Sequence, residues 1–338
     1  MTRPSTLLSG RGHVLLGLII FGLLLFVPAW ADRGLIFLVG VMLTYIVLAL
    51  SYNTIFGLGG MISFGHAAYF AIGAYASGMA LRHIPDVSLL VALAMGAVFG
   101  GVLALLIGGV ALRRASGTYF AILTLAFAEL LHILIAKTSW LGREDGLTGI
   151  VQPVMTIPGA GSVDLSQGNN IYYAVLIFTA LFVMGAWVIW HSRFGRVLAA
   201  IRQEPDRAAF LGVNVHRTRL MAFVLSGMGA GLAGAMYAPL AQILTPGIAH
   251  WSFSALPILF CLLGGAAMFW GPVLGVVAFV SLEHFTRNII GLSEIVTGAT
   301  LLFVVLAFPG GISGGIRKVF ELLRSRNVIE SKSVEVGQ

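Results

Sequence analysis

Long apolar runs follow one another along almost the whole chain, and they constrain its fold more than any motif does. A helix needs roughly 20 consecutive apolar residues to cross about 30 Å of hydrocarbon, and several runs approach or reach that length. Only 10% of the 338 residues are charged, whereas an ordinary soluble domain carries about 25%. We therefore predict an all-α, polytopic membrane protein that forms a single domain over residues 1–338.

About ten transmembrane or re-entrant helices account for these runs. We place them near residues 14–30, 35–57, 60–80, 88–111, 118–136, 170–191, 219–241, 253–268, 272–290 and 294–309. The first run also resembles a cleaved signal peptide, because Arg3 and Arg11 precede it and an Ala-x-Ala pattern ends it. We expect it to be retained, since the distribution of positive charge fits ten crossings.

The positively charged residues indicate the orientation in the membrane. With ten crossings, one side receives both termini, the pair Arg113-Arg114, the six arginines of residues 193–219 and the tail 318–338. The positive-inside rule makes that side the cytoplasm, so the loop of residues 137–169 lies outside. The same rule explains the formal charge of +7, and no nucleic-acid partner is predicted.

Motifs for catalysis or metal binding are almost absent from the sequence. The single cysteine, Cys261, leaves no disulfide or cysteine metal site, and neither a phosphate-binding loop nor a His-Glu-x-x-His helix occurs. Residues 311–315 match the Gly-x-Ser-x-Gly pattern, but they follow a membrane helix and not a strand. We predict that the chain is not an enzyme and carries no cofactor or metal of its own.

Glycine is frequent in this chain, and two different uses are predicted for it. Close helix packing is predicted at three pairs with four-residue spacing, Gly96/Gly100, Gly227/Gly231 and Gly271/Gly275. Residues 53–70 instead combine glycines with polar side chains, which favours a broken or re-entrant helix that lines a substrate path. The candidate path residues there are Asn53, Ser63 and His66, although close packing alone also explains the glycines.

Glu129 and His132 are ionisable residues inside a predicted membrane helix, where charge is costly. They share a helix face and can form a polar pair, line a path or gate, or serve as the proton relay of an ion-coupled secondary transporter. A Glu-x-x-His metal site is not predicted, because the sequence has no second copy of this motif. We assign Thr124, on the same segment, to the candidate path with them.

A basic stretch, residues 193–219, interrupts the apolar pattern. Phe194–Arg202 reads as a short helix, and Pro205 suits the first turn of a second helix, with Asp206 near its positive end. Gly212 can take the left-handed conformation that stops it. We predict a cytoplasmic hairpin that either lies on anionic headgroups or docks into a protein groove. The docking surface would be its small and apolar residues, Ala199, Ala200, Ala208, Ala209, Phe210 and Leu211.

Several segments resemble the branched-chain amino acid (LIV-type) family of ABC transporter permeases. They are SRFGRVLAAIRQEPDRAAFLGVNVHRTRLMAFVLSGMGAGLAGAMYA, GLGGMISFGHAAYFAIGAYASG, SGTYFAILTLAFAELLHIL with GLTGI after it, and FPGGISGGIRK. The third resembles the M-type of the two permease subunits rather than the H-type. The resemblance implies a subunit of the bacterial inner membrane that moves branched-chain amino acids, or a related small amphipathic solute, from periplasm to cytoplasm.

The resemblance also implies partners and site residues. The partners are an H-type permease, two cytoplasmic ATPase subunits that hold ATP and Mg²⁺, a periplasmic solute-binding protein and membrane lipid. The implied ATPase-coupling residues are Gly195, Arg196, Arg202, Asp206, Gly212 and Asn214. Two positions depart from the family pattern, since His132 stands where an arginine is frequent and Asp206 where a glutamate is common. The first departure leaves a substrate-path role for that helix face open.

Overall fold

The computed structural model describes residues 10–115, 117–157, 161–286, 295–296, 298–299, 302, 306 and 310–315. The helices are α1 (Gly10–Trp30), α2 (Arg33–Asn53), α3 (His66–His83), α4 (Leu89–Arg114), α5 (Thr118–Lys137), α6 (Asn170–His191), α7 (Arg193–Gln203), α8 (Pro205–Phe210), α9 (Val215–Ala241), α10 (Trp251–Gly264) and α11 (Gly271–Thr286). The strands are β1 (Val154–Ile157) and β2 (Gly161–Asp164). The predicted all-α membrane fold is confirmed, with one small antiparallel hairpin added to it.

Small residues hold the centre of the bundle together, where α9 packs against α2, α3 and α4. A Cβ atom at Gly100 would lie 2.5 Å from the Gly227 carbonyl oxygen, and one at Gly73 would collide with the backbone of Gly231. Helix backbones that approach this closely gain dispersion contacts which lipid cannot supply. The predicted packing at the three glycine pairs is therefore confirmed, because each member meets a neighbouring helix.

The helix directions define two ends of the bundle. Gly108 of α4 lies next to Phe223, near the start of α9, while Gly96 meets Ala235 farther along, so α4 and α9 are antiparallel. The contacts of α7 and α8 with α9 place the α7–α8 hairpin beside the start of α9, at one end of the bundle. We call this the hairpin end. Residues 138–157 and 161–169 and the connection between α9 and α10 lie at the other, called the loop end.

Basic residues are unevenly divided between these ends. The hairpin end carries Arg113, Arg114 and the arginines of residues 193–219, whereas the loop end carries Arg33, Arg82, Lys137 and Arg143. Acidic residues Asp86, Glu144, Asp145 and Asp164 offset the charge at the loop end. The asymmetry follows the positive-inside pattern, with the hairpin end as its basic side.

Five helical stretches are long and apolar enough to cross a membrane, namely Arg33–Leu58, Leu89–Arg114, Thr118–Lys137, Asn170–His191 and Val215–Ala241. Shorter apolar stretches occur at Ile19–Trp30, Trp251–Gly264 and Gly271–Thr286, and most of α3 is buried inside the bundle. Of the predicted tenth segment, 294–309, only scattered positions are described. The tail 318–338 lies outside the described residues.

The loop between α5 and α6 contains short elements that the sequence analysis does not predict. It contains two short 3₁₀ turns and the β1–β2 hairpin, and Leu147 pairs with Leu244 in an isolated bridge that ties it to the end of α9. Asp164 caps the turn after β2. The pKa of its carboxyl group lies below the usual value because the Ser166 hydroxyl and backbone N–H both donate to it.

Candidate functional site

The predicted break between the second and third apolar segments is confirmed. After α2 the chain continues as a π-helix over Thr54–Leu58, unwinds over residues 59–65, and resumes as α3 at His66. Gly60 has a φ of +66°, which a side chain would strain. A non-helical segment at membrane depth needs protein or water around it, and here neighbouring helices supply much of the cover.

Asn53 lies at the junction of α2 and the π-helix and is fully buried. Neither its amide nitrogen nor its amide oxygen has a hydrogen-bond partner among the described residues. A Cβ at Gly57 would collide with the Asn53 side chain, so glycine makes room for this amide. A buried amide without hydrogen-bond partners costs free energy. Both polar atoms of the Asn53 side chain are therefore available to bind a group that the described residues do not supply.

His66 is also fully buried, at the first residue of α3. Its Nε2 lies 2.8 Å from the Ser226 hydroxyl, which donates onward to the Ser51 carbonyl at 2.6 Å. Because that hydroxyl uses its hydrogen on Ser51, the His66 Nε2–H is the donor. In this conformation His66 ties α2, α3 and α9 together, which is the packing role that a lone membrane histidine most often has.

Thr124 and Ser63 hold the unwound segment in place. The Phe64 N–H donates to the Thr124 hydroxyl at 3.1 Å, and the Gly65 N–H donates to the Ser63 hydroxyl at 3.2 Å. Both hydroxyl side chains are fully buried. The structure therefore brings Asn53, Ser63 and Thr124 to one region around the break, where Thr124 anchors it to α5.

The predicted helical hairpin of residues 193–219 is confirmed in outline. Ser192 caps α7, Pro205 occupies the first turn of α8, and Asn214 caps α9 through a bond from the Arg217 N–H to its side chain. Gly212 has a φ of +84°, the left-handed conformation that its position predicts. A Cβ at Gly195 would lie 2.5 Å from the Trp190 carbonyl oxygen, so this glycine sets the close turn after α6.

Arg202 of the hairpin reaches the break directly. Its guanidinium donates to the Gly57 carbonyl, and a Cβ at Gly60 would lie 2.7 Å from the Arg202 Cγ. Gly57 lies in the last turn before the chain unwinds, where carbonyls lack a helical donor, so an arginine can satisfy its carbonyl. This contact joins the two parts of the chain that the sequence marks separately as a coupling stretch and a path candidate.

The tip of the hairpin is apolar and exposed. Phe210 and Leu211 are 91% and 80% exposed, while Ala208 behind them is buried. Arg196 of α7 and Asp206 of α8 are exposed on the same hairpin, and the Arg196 guanidinium donates to the His191 carbonyl. Large apolar side chains at the tip of a charged loop form a small surface suited to a hydrophobic groove.

Glu129 and His132 do not form the helix-local pair that their spacing allows. His132 Nδ1 lies 3.0 Å from the Pro246 carbonyl oxygen, and Glu129 Oε2 lies 4.0 Å from Nε2 of His250. The rings of His132 and His250 meet edge to face, with centroids 5.1 Å apart. Sequence reasoning missed His250, because it precedes α10 and nothing local marks it. Within the described part of the chain, no group of His, Cys, Asp and Glu has the arrangement of a metal site.

Comparison with known proteins places these features in a family. The family model described as the permease component of the branched-chain amino acid transport system matches residues 34–305. The matched span contains the break, the hairpin and the Glu129–His250 contact. No solved structure gives a significant match to the chain.

Curated relatives include both types of permease from such a system. The high-affinity branched-chain amino acid transport system permease protein LivM of Salmonella typhimurium is 25% identical over 317 residues, which cover 87% of this chain and 74% of that protein. LivM of Escherichia coli gives the same identity and coverage. LivH of Salmonella typhimurium is 26% identical over 297 residues, which cover 80% of this chain and 91% of that protein.

Proposed function

The chain belongs to the family of branched-chain amino acid transport permeases, as a LivM-type ABC permease subunit, and we propose how it works. It pairs with an H-type permease and moves branched-chain amino acids, or a related small amphipathic solute, from a periplasmic binding protein to the cytoplasm. Two ATPase subunits dock on the hairpin end and supply the energy. The names of the relatives support the substrate class and the paired permease.

The observation that carries this proposal is the contact between Arg202 and the Gly57 carbonyl. The hairpin has an exposed apolar tip, Phe210 and Leu211, that a partner can bind. At its other end Arg202 packs against the broken helix. When ATP closes the ATPase pair, displacement of the hairpin would move Arg202 and with it the Gly57 carbonyl. The π-helix and the unwound segment would then change their packing and open or close the path.

ATP and Mg²⁺ belong to the partner subunits in this proposal, and the chain itself holds no cofactor. Gly195, Arg196, Asp206, Gly212 and Asn214 shape the docking hairpin, while Arg202 transmits its movement. The single domain spans the bacterial inner membrane with both termini in the cytoplasm. Residues 193–219 and 318–338 face the cytoplasm, and residues 137–169 face the periplasm.

The ion-coupled alternative predicts a different energy source, and nothing in the comparisons supports it. Proteoliposomes that contain this chain, its H-type partner, the ATPases and the binding protein distinguish the two. We expect uptake of radiolabelled leucine with ATP and none with a proton or sodium gradient alone. Uptake driven by a gradient without ATP would contradict the proposal.

Arg202→Met is expected to uncouple hydrolysis from transport. The change removes the donor to the Gly57 carbonyl, while the hairpin tip that meets the ATPase keeps its apolar residues. A hydrogen bond from a charged donor is worth enough for leucine uptake to fall roughly fivefold or more. The ATPase should remain bound and active. The measurement is leucine taken up per ATP hydrolysed.

Arg207→Met is the matched control for that experiment. Arg207 lies on the same hairpin and pairs with Glu204 at 2.8 Å, but both side chains are largely exposed. Such pairs contribute little, so this variant should keep the wild-type ratio of uptake to hydrolysis. Equal ratios for both variants would show that the contact between Arg202 and the Gly57 carbonyl does not couple hydrolysis to transport.

The orientation of the chain gives a second testable expectation. A reporter fused after Arg207 should report the cytoplasm, and one fused near Gln167 should report the periplasm, because basic residues concentrate at the hairpin end. Alkaline phosphatase and green fluorescent protein fusions measure the two locations. A cytoplasmic reading at Gln167 would contradict the ten-crossing topology.

A further inference from the structure

A polar cluster lies in the half of the bundle nearer the loop end, on the side opposite the hairpin. It consists of Glu129 and His132 on α5 with His250 and Ser252 at the start of α10, and is called the α5–α10 cluster. Glu129 lies about 12 Å along the helix axis from Lys137, the last residue of α5. The cluster therefore lies at membrane depth on the side where the solute arrives.

The Glu129 carboxylate has an incomplete set of partners. Its Oε2 is covered and has no hydrogen-bond partner among the described residues, and its nearest cationic candidate is His250 Nε2 at 4.0 Å. The described residues place no Lys or Arg within ion-pair distance of it. A carboxylate in such surroundings is costly unless a ligand supplies a donor or a positive charge.

The hydrogen bonds of the two histidines fix which ring nitrogens are available. The Pro246 carbonyl can only accept, so His132 carries its proton on Nδ1 and leaves Nε2 as an acceptor. The Ser252 N–H donates to Nδ1 of His250, so a neutral His250 carries its proton on Nε2. The cluster thus offers two acceptors and one donor.

The cluster is also partly exposed on the surface of this chain. The side chains of Glu129 and His250 are 33% and 35% exposed, which is enough for contact and too little for free solvation. Ile133 and Trp251 beside them are exposed apolar side chains that can receive an aliphatic group. Hydrogen-bond acceptors and a donor next to apolar surface match a molecule with an ammonium group, a carboxylate and an aliphatic side chain.

We propose that the α5–α10 cluster binds the charged end of a zwitterionic α-amino acid during transport. Glu129 and His132 accept from its ammonium group, and the Nε2–H of His250 donates to its carboxylate. This inference rests on the proposed function and adds to it a site that recognises the solute within the permease. The ammonium of a phosphatidylethanolamine headgroup shares this chemistry, so the test has to separate the two sources.

The test uses the complete complex in vesicles of phosphatidylcholine and phosphatidylglycerol, which contain no primary ammonium. Glu129→Gln, His132→Gln and His250→Gln are compared with wild type for ATP-driven uptake of radiolabelled leucine at saturating binding protein. Loss of a charge-assisted bond should lower uptake roughly tenfold or more for Glu129→Gln. ATP hydrolysis stimulated by the leucine-loaded binding protein should persist, because the hairpin is untouched.

Two exposed residues on the same side serve as controls. Glu144→Gln and His83→Gln make the same chemical changes at loop-end positions away from the cluster, and they should keep wild-type uptake. Wild-type uptake in all three cluster variants would overturn the inference. Failure of all three to assemble with the ATPase would give the cluster a structural role and would also overturn it.

The remaining outcomes separate this inference from its premise. A wild-type complex without ATP-driven leucine uptake would overturn the proposed function itself. A defect of Glu129→Gln that appears only after phosphatidylethanolamine is added would assign the cluster to a lipid headgroup and overturn the inference, while the transport function would stand.

Discussion

Gly100→Leu is expected to abolish the folded permease. Gly100 lies where α4 crosses α9, and even a single Cβ there would lie 2.5 Å from the Gly227 carbonyl oxygen and close to the Gly231 backbone. Neither neighbour can rotate away, because both are backbone, so the two helices must separate. We expect a loss of roughly 3 kcal/mol or more in stability. The measurement is the yield of monodisperse permease after detergent extraction.

Gly109→Leu provides the control on the same helix. A Cβ at Gly109 would meet no atom within 4 Å, so the same substitution there adds an apolar side chain to an open face. This variant should be extracted in wild-type amounts. Equal yields of the two variants would show that the α4–α9 contact is looser than the structure places it.

The double variant Phe210→Asp with Leu211→Asp is expected to release the ATPase from the permease. Both side chains are exposed at the hairpin tip, so the substitutions remove apolar surface without opening a cavity in the bundle. Two carboxylates at the centre of an apolar groove would be desolvated without partners, which is strongly unfavourable. Recovery of the ATPase with the purified permease measures the effect.

The sequence predicts the hairpin and the break because their signals are local. Pro205 fixes the start of α8 and Gly212 permits the left-handed residue that ends it, whatever the rest of the chain does. Likewise, the glycines of residues 57–65 lower the helical preference within one short stretch. The short β1–β2 hairpin was not predicted, because its two strands have four residues each and carry no clear alternation.

Contacts between distant segments could not be predicted in this way. Arg202 and Gly57 are 145 residues apart, and nothing in either segment marks the other as its partner. The face shared by Glu129 and His132 was predicted, but their contacts go to the segment before α10 and not to each other. A pair between neighbouring turns of one helix contributes only about 0.2–0.5 kcal/mol, so the contacts of Glu129 and His132 with the segment before α10 are favoured over it.

In the proposed mechanism residues 193–219 connect an ATPase to the broken helix, and the Phe210→Asp and Leu211→Asp variant tests this connection most directly. Its control is Thr148→Asp with Gln167→Asp, which adds the same charge at exposed positions of the loop end. At matched expression, we expect the hairpin variant to retain the H-type partner, to lose the ATPase and to lose ATP-driven leucine uptake, while the control retains the ATPase. Full recovery of the ATPase with unimpaired uptake in the hairpin variant would show that residues 193–219 are not the coupling element.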